Sequence, residues 1–158
     1  MRFSLLDRIT DLQEGKCITA AKILRADEDY LADHFPRFPV MPGVLMLEAM
    51  FQAGAWLVRQ TEGFANSCVV LKEARNVQYK GFVEPGQELV VTAEITKQNE
   101  LLTTLKAQGN VDGVLAVRAK LVLESFSISD RYPVRVAADE YGNQKHRAEF
   151  SRLLGEGA

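Results

Sequence analysis

Cysteine, histidine and excess charge of either sign are all scarce in this chain of 158 residues, and each scarcity excludes something. Its two cysteines, Cys17 and Cys68, are far apart and fit no metal-ligand spacing. They are expected to be buried apolar thiols in a reducing compartment and not a zinc site; a disulfide between them is open but not indicated. The formal net charge is only -2, so no overall basic field invites nucleic acid or an anionic membrane. No G-x-S-x-G, P-loop or G-x-G-x-x-G occurs, which argues against a serine hydrolase or a nucleotide-binding enzyme. The amino terminus, MRFSLLDRITD, reaches Asp7 without an apolar core, so no signal peptide is read and a cytoplasmic protein is expected. The longest apolar run, residues 40–58, contains Pro42, Gly43, Glu48, Gln52 and Gly54. A glutamate near mid-span is costly in lipid, so this run is read as a helix buried in protein, not a membrane span.

What is present is ordinary for a globular domain: 47% hydrophobic and 25% charged residues, in a length that suits one core. Residues 5–13 and 16–25 read as two short strands or as a helix–strand pair about the turn at Gly15. RADEDYLADH is polar and reads as a loop with one helical turn. Pro36 and Pro39 keep the next stretch extended, and Pro42 suits a first helical turn, so a helix is predicted over residues 43–60. Its apolar residues fall on every face, which predicts a helix surrounded by protein. SCVVLKEARNVQYKG, QELVVTAEITKQN, LLTTLKAQGNVDG and VLAVRAKLVLESF follow as strands, separated by P-G, N-E and D-G turn signals. One long helix with five or six antiparallel strands predicts an α+β domain whose sheet wraps the helix. Residues 127–158 are polar, with a weak stripe at Phe150, Leu153 and Leu154, and are expected to form a tail or a short docked helix without chemistry of its own.

The chemistry concentrates in HFPRFPVMPGVLMLEAMFQ, residues 34–52. Glu48 and Gln52 are four apart and share a helix face. A carboxylate in such a run needs a partner or a neutral state, and a neutral carboxyl is a usable general acid. Gln52 is placed to orient it. Pro42-Gly43-Val44 puts free N–H groups at the positive end of the helix, and Gly43 has no side chain to obstruct an approaching carbonyl oxygen. His34 stands just outside on a proline-stiffened loop. A base, an acid and an oxyanion site together suit proton abstraction beside a carbonyl with loss of a group that needs a proton. Each feature also has a plainer reading: a structural histidine, a glutamate paired with arginine at a subunit contact, and Met46, Met50 and Phe51 as core residues.

The same nineteen residues resemble the active-site motif of the β-hydroxyacyl-[acyl-carrier-protein] dehydratases of the FabZ type, H-F-P-x-x-P-x-M-P-G-V-L-x-x-E-A-x-x-Q, at every fixed position. SLLDRI upstream and NVQYKGFVEPGQEL downstream resemble flanking segments, so the likeness extends over about residues 3–126. It implies a hotdog fold in residues 1–126, with an antiparallel sheet around a long central helix, followed by a C-terminal tail over 127–158. It implies catalytic roles for His34 and Glu48, brought together across a homodimer interface, and a carbonyl-polarising N–H at Gly43. Gln52 takes a supporting role, and Met46, Met50 and Phe82 line the acyl channel. The implied reaction is dehydration of a (3R)-3-hydroxyacyl-[acyl-carrier-protein] to the trans-2-enoyl thioester in fatty acid biosynthesis, without metal or other cofactor. The implied partners are acyl carrier protein and a second copy of the chain, with trimers of dimers as a further assembly.

Glutamate at position 48 separates this pattern from the related dehydratase-isomerases, which carry aspartate there. Other positions depart from the family. Gln78-Tyr79 and Phe82 stand where an arginine-phenylalanine pair and a proline are usual, and the tail is long. Lys72, Arg75 and Lys80 are candidates for docking the acidic carrier; a solvated strand edge is the plainer reading. Two other functions remain in view. A hotdog acyl thioesterase would not call for the His34 loop, and a non-catalytic acyl-binding subunit of a heteromer would be expected to have lost His34 or Glu48.

Overall fold

The computed structural model describes residues 1–156. Six strands form one antiparallel sheet: β1 (Arg8–Gln13), β2 (Cys17–Ile23), β3 (Cys68–Tyr79), β4 (Glu88–Gln98), β5 (Leu102–Val111) and β6 (Val114–Phe126). Their spatial order is β1-β2-β4-β5-β6-β3. Helix α1 (Gly43–Thr61) crosses the concave face, packing against β2 to β6. The segment before β2 is therefore a strand, which settles the ambiguity of residues 5–13. The hairpin turn at Asp112-Gly113 has positive φ at both residues (51° and 77°), as a tight two-residue turn between right-twisted strands requires.

Helix α1 begins where Pro42 stops the extended loop, with Leu45 N–H and Met46 N–H donating to the Pro42 carbonyl at 2.9 and 3.2 Å. The prediction of a helix surrounded on every side is only half met. Residues 53–58 are buried all round, whereas Val44 in the first turn is 70% exposed and Leu45, Leu47 and Phe51 are only partly covered. The apolar pattern of the first turns asks for more cover than this chain supplies. Where α1 meets the sheet most closely, Gly54 lies so near Leu105 that a Cβ there would stand 2.8 Å from its Cδ1.

Of the two expectations for the segment after residue 126, a tail or a short docked helix, the structure has the helix, and it is longer than expected. After a short α2 (Ile128–Arg131), an eighteen-residue helix α3 (Val136–Leu153) packs on α1 through Trp56 and touches β1. Phe150 stacks on Trp56 at 5.8 Å and meets Phe64 edge-on, and Leu153 is buried. Asp139, also buried, accepts hydrogen bonds from the Ser67 hydroxyl and from the N–H groups of Ile128 and Ser129. Hydrogen bonds from Ser129 and Ser67 hold its carboxyl below the usual carboxylate range. This helix is longer than a three-residue stripe suggests, because aromatic stacking and one buried carboxylate do the anchoring.

Cys17 and Cys68 are free and half-buried, not buried as expected, since both lie at strand starts near the sheet margin. No helix among the described residues is long and apolar enough to cross a membrane.

Candidate active site

The loop before α1 is knitted by its own backbone. Val40 N–H donates to the His34 carbonyl at 2.9 Å, His34 N–H to Tyr30 at 3.1 Å, and Phe35 and Phe38 exchange N–H···O bonds at 2.9 and 3.0 Å. Met41 N–H reaches Val83 at 2.9 Å, tying the loop to the strand of chain that precedes β4. His34 is thereby fixed with its Nδ1 3.0 Å from the Val40 carbonyl oxygen, and its ring stacks on Phe35 at 4.1 Å. A carbonyl only accepts, so Nδ1 carries the proton in that bond. The neutral ring then keeps its lone pair on Nε2, free to take a proton from elsewhere.

Glu48 sits half-buried on α1 and accepts from Gln52 Nε2 at 3.0 Å. Gln52 is fully engaged: Nε2 also donates to the Phe3 carbonyl at 2.7 Å, and Oε1 accepts from Leu5 N–H at 2.8 Å. Three contacts allow the amide one orientation, so its NH₂ end must face Glu48. The helix spacing made the Glu48–Gln52 pair legible; the backbone groups that hold Gln52 carry no sequence signature. Within the one chain His34 and Glu48 hydrogen-bond to these separate partners and not to each other among the described residues.

Gly43 begins α1, and Pro42 offers no side-chain cap. Its N–H has no acceptor among the described residues. A Cβ at Gly43 would meet the Tyr79 ring at 2.9 to 3.3 Å, so the ring lies against the helix start and a larger residue at position 43 would have to displace it. In the sequence Tyr79 stands out only as a departure from the family pattern. It reaches this place because β3 carries a bulge between Arg75 and Gln78, with Asn76 at φ 53°. The extra residue turns the end of the strand toward the helix.

The remaining candidates divide. Met46 and Met50 are buried in the main core. Phe82 is exposed and packs edge-on against Phe38 at 5.3 Å, on the rim of the His34 loop. Lys72 faces Glu124 at 3.9 Å, and Arg75 grips Glu73 through two bonds of 2.6 and 2.7 Å, so much of their charge is answered within the chain. Lys80, at the end of β3, is exposed. Among the described residues, no group of three or more metal-ligating side chains clusters.

Comparison with known proteins agrees with this geometry. The FabA-like domain matches residues 1–120. The 3-hydroxyacyl-[acyl-carrier-protein] dehydratase FabZ of Janthinobacterium sp. (strain Marseille) is 39% identical over 132 residues, covering 82% of this chain and 85% of the relative. Its counterpart in Aromatoleum aromaticum is 40% identical over 122 residues, covering 75% and 84%. In fold the chain is similar to a chain of the dehydratase heterocomplex ApeI:P from Xenorhabdus doucetiae, with a TM-score of 0.68 at 16% identity over 85% of this chain and 90% of that one. The E. coli PaaI protein from the phenylacetic acid degradation operon superposes with a TM-score of 0.58 at 11% identity, covering 74% and 81%. Sheet order, helix placement and these likenesses together mean that the chain belongs to the FabA-like family of hotdog proteins, as a FabZ-type member.

Proposed function

We propose that this protein dehydrates (3R)-3-hydroxyacyl chains carried on the phosphopantetheine of acyl carrier protein, giving trans-2-enoyl thioesters for fatty acid biosynthesis in the cytoplasm. The observation that carries the reading is the His34 tautomer: Nδ1–H bound to the Val40 carbonyl leaves Nε2 as a base. In the proposed step Nε2 removes a proton from C2 while the thioester oxygen turns toward the Gly43 N–H. Electron density moves into a C2=C3 bond, and the C3 hydroxyl leaves with a proton from Glu48 as water. His34 ends with one proton more and Glu48 with one fewer, so a single proton transfer between them resets the site. Gln52 donates to Glu48 Oε1, which leaves Oε2 to carry the acid proton toward substrate.

The two groups meet, in this proposal, across a homodimer, His34 of one chain facing Glu48 of the other. Two features of the single chain support that assembly. β3 is an edge strand of twelve residues whose outer side pairs with no strand among the described residues, an open template for a second copy. The first turn of α1 also leaves Val44 uncovered. Two-fold symmetry then gives two equal sites, and trimers of such dimers are compatible with it. Phe82 stands at the channel mouth, and Met46 and Met50, buried in the core, back the channel wall from within. Lys80 is the foremost docking contact for the acidic carrier, with Lys72 and Arg75 secondary because Glu124 and Glu73 already engage them.

The test is hydration of a short trans-2-enoyl thioester, followed by loss of enoyl absorbance. Wild type should consume the enoyl thioester, and Glu48→Gln should lose about 10²–10⁴-fold in rate with its fold intact. Release of free thiol in place of hydration would make the protein a thioesterase. Absence of turnover on both carrier-protein and coenzyme A substrates would make it an acyl-binding subunit.

A further inference from the structure

Gln52 owes its orientation to the amino-terminal strap, residues 3–6, whose Phe3 carbonyl and Leu5 N–H grip the two ends of its amide. The strap is in turn held by the carboxy-terminal helix. The Ser4 hydroxyl donates to Glu149 Oε1 on α3 at 2.8 Å. Arg152 grips that carboxylate through Nε at 2.9 Å and Nη2 at 2.7 Å, and its Nη2 also lies 3.5 Å from the Leu6 carbonyl. The hydrogen bond from Arg152, and then that from Ser4, holds the Glu149 carboxyl below its ordinary range, so it is a charged acceptor. Leu5 and Leu6 are almost wholly buried, which makes the strap part of the core and not a loose end.

We infer that Ser4 and Glu149 are positioning residues for Glu48, acting through the strap and Gln52, and that α3 thereby sets the rate of the proposed dehydration. This inference rests on the reading of Glu48 as the acid. Most of the path lies outside what the motif specifies, and α3 begins beyond the matched family domain at residue 120.

A primary amide is asymmetric: its nitrogen only donates and its oxygen only accepts. Held by Phe3 and Leu5, Gln52 can present only N–H to Glu48, and the acid proton stays on Oε2, free for substrate. With the Ser4 end of the strap loosened, the Phe3 carbonyl no longer holds Nε2 firmly, and the amide spends part of its time turned by half a turn with Oε1 toward Glu48. That oxygen accepts the acid proton of Glu48 and withholds it from the departing hydroxyl. The two orientations differ little in shape, so substrate binding is nearly the same in both while proton delivery is not. The signature is a fall in kcat at constant KM.

Ser4→Ala deletes one hydrogen bond to a charged acceptor and leaves the Glu149–Arg152 pair in place. It should lower kcat by about threefold to tenfold, the effect of an ordinary net hydrogen bond, because the Ser4–Glu149 contact is only part-buried and acts through the strap, with KM unchanged. Ser4→Thr keeps the hydroxyl and should restore most of the rate. Glu149→Ala removes the same bond from the other side, so the double variant Ser4→Ala/Glu149→Ala should be no slower than the worse single variant. In the Glu48→Gln background Ser4→Ala should have no effect, since no acid proton remains to be directed. Unchanged kcat in both single variants beside an active wild type would overturn the inference and leave the dehydratase reading standing. So would a loss shared by kcat and KM with a matching fall in Tm, or a double variant whose losses multiply. An inactive wild type on all thioesters would overturn the dehydratase reading itself.

Discussion

Gly54→Ala sets two known effects against each other at one place in α1. Alanine is favoured over glycine inside a helix by about 0.8–1.0 kcal/mol. The added Cβ, however, would stand 2.8 Å from Leu105 Cδ1 and 3.5 Å from Leu123 Cδ2. Carbon atoms in contact prefer about 3.5–4.0 Å, so Leu105 or the helix must yield by about 0.7 Å or more. Leu105 has no exposed surface and Leu123 only 1%, so neither side chain can swing into solvent. Overpacking of that kind costs about 1–3 kcal/mol, which outweighs the helix propensity gain. The net expectation is destabilisation by about 1 kcal/mol. Leu105→Ala alone should cost about 2–5 kcal/mol through the cavity it leaves. In that background the same Gly54→Ala should become neutral or stabilising by about 1 kcal/mol, because the obstructing methyl is gone. Urea unfolding with constant m values reports all four corners of the cycle. Stabilisation by Gly54→Ala in the wild-type background, or costs that simply add, would show that Leu105 does not fix the depth of α1. The seating of Glu48, six residues earlier on the same helix, would then need another explanation.

Two further perturbations probe the site and its support. Gln52→Leu leaves Leu5 N–H, the Phe3 carbonyl and Glu48 short of a partner, and Leu5 is only 3% exposed. It should cost about 2–4 kcal/mol of stability and more than about tenfold in kcat; a stability loss under about 1 kcal/mol would refute the clamp. His146 on α3 is half-buried beside Trp56, and burial with the nearby Arg59 guanidinium pushes its imidazole from 6.5 down to about 4. Between those pH values the unfolded chain binds the proton more tightly than the folded one. The contribution of His146 is therefore complete above about 6.5 and is lost as pH falls toward 4. Allowing for solvent at the half-buried ring, the loss is about 1–2 kcal/mol. His146→Gln should flatten that part of the pH–stability curve relative to wild type, and parallel curves would refute the assignment.

What was legible in the chain follows its local codes. The run of prolines ending at Pro42 marked where α1 begins, because each keeps the residue before it extended and Pro42 stands as the residue just outside the first turn. Asp112-Gly113 declared its hairpin, because few other pairs accept positive φ twice in succession. Glu48 and Gln52, four apart on a helix, were bound to be neighbours. The candidate residues were legible as types in an order: a histidine, a helix start without a side chain, a carboxyl and an amide.

Tertiary structure alone decided what those residues can do. The His34 tautomer depends on the carbonyl of Val40, and the Gln52 orientation on the backbone of Phe3 and Leu5. Backbone groups are the same at every residue, so no pattern of side chains announces which of them will be used. Tyr79 covers Gly43 only because a bulge turns the end of β3. Helix α3 was faint in the sequence, since its stripe is narrow and its hold rests on Asp139 and on rings supplied by α1 and the turn that follows it. Sequence by itself determined where helix and strands begin and which chemistry is present. The closing of distant segments on one another determined which proton each group holds and where it points, because hydrogen-bond direction is a property of the folded contact.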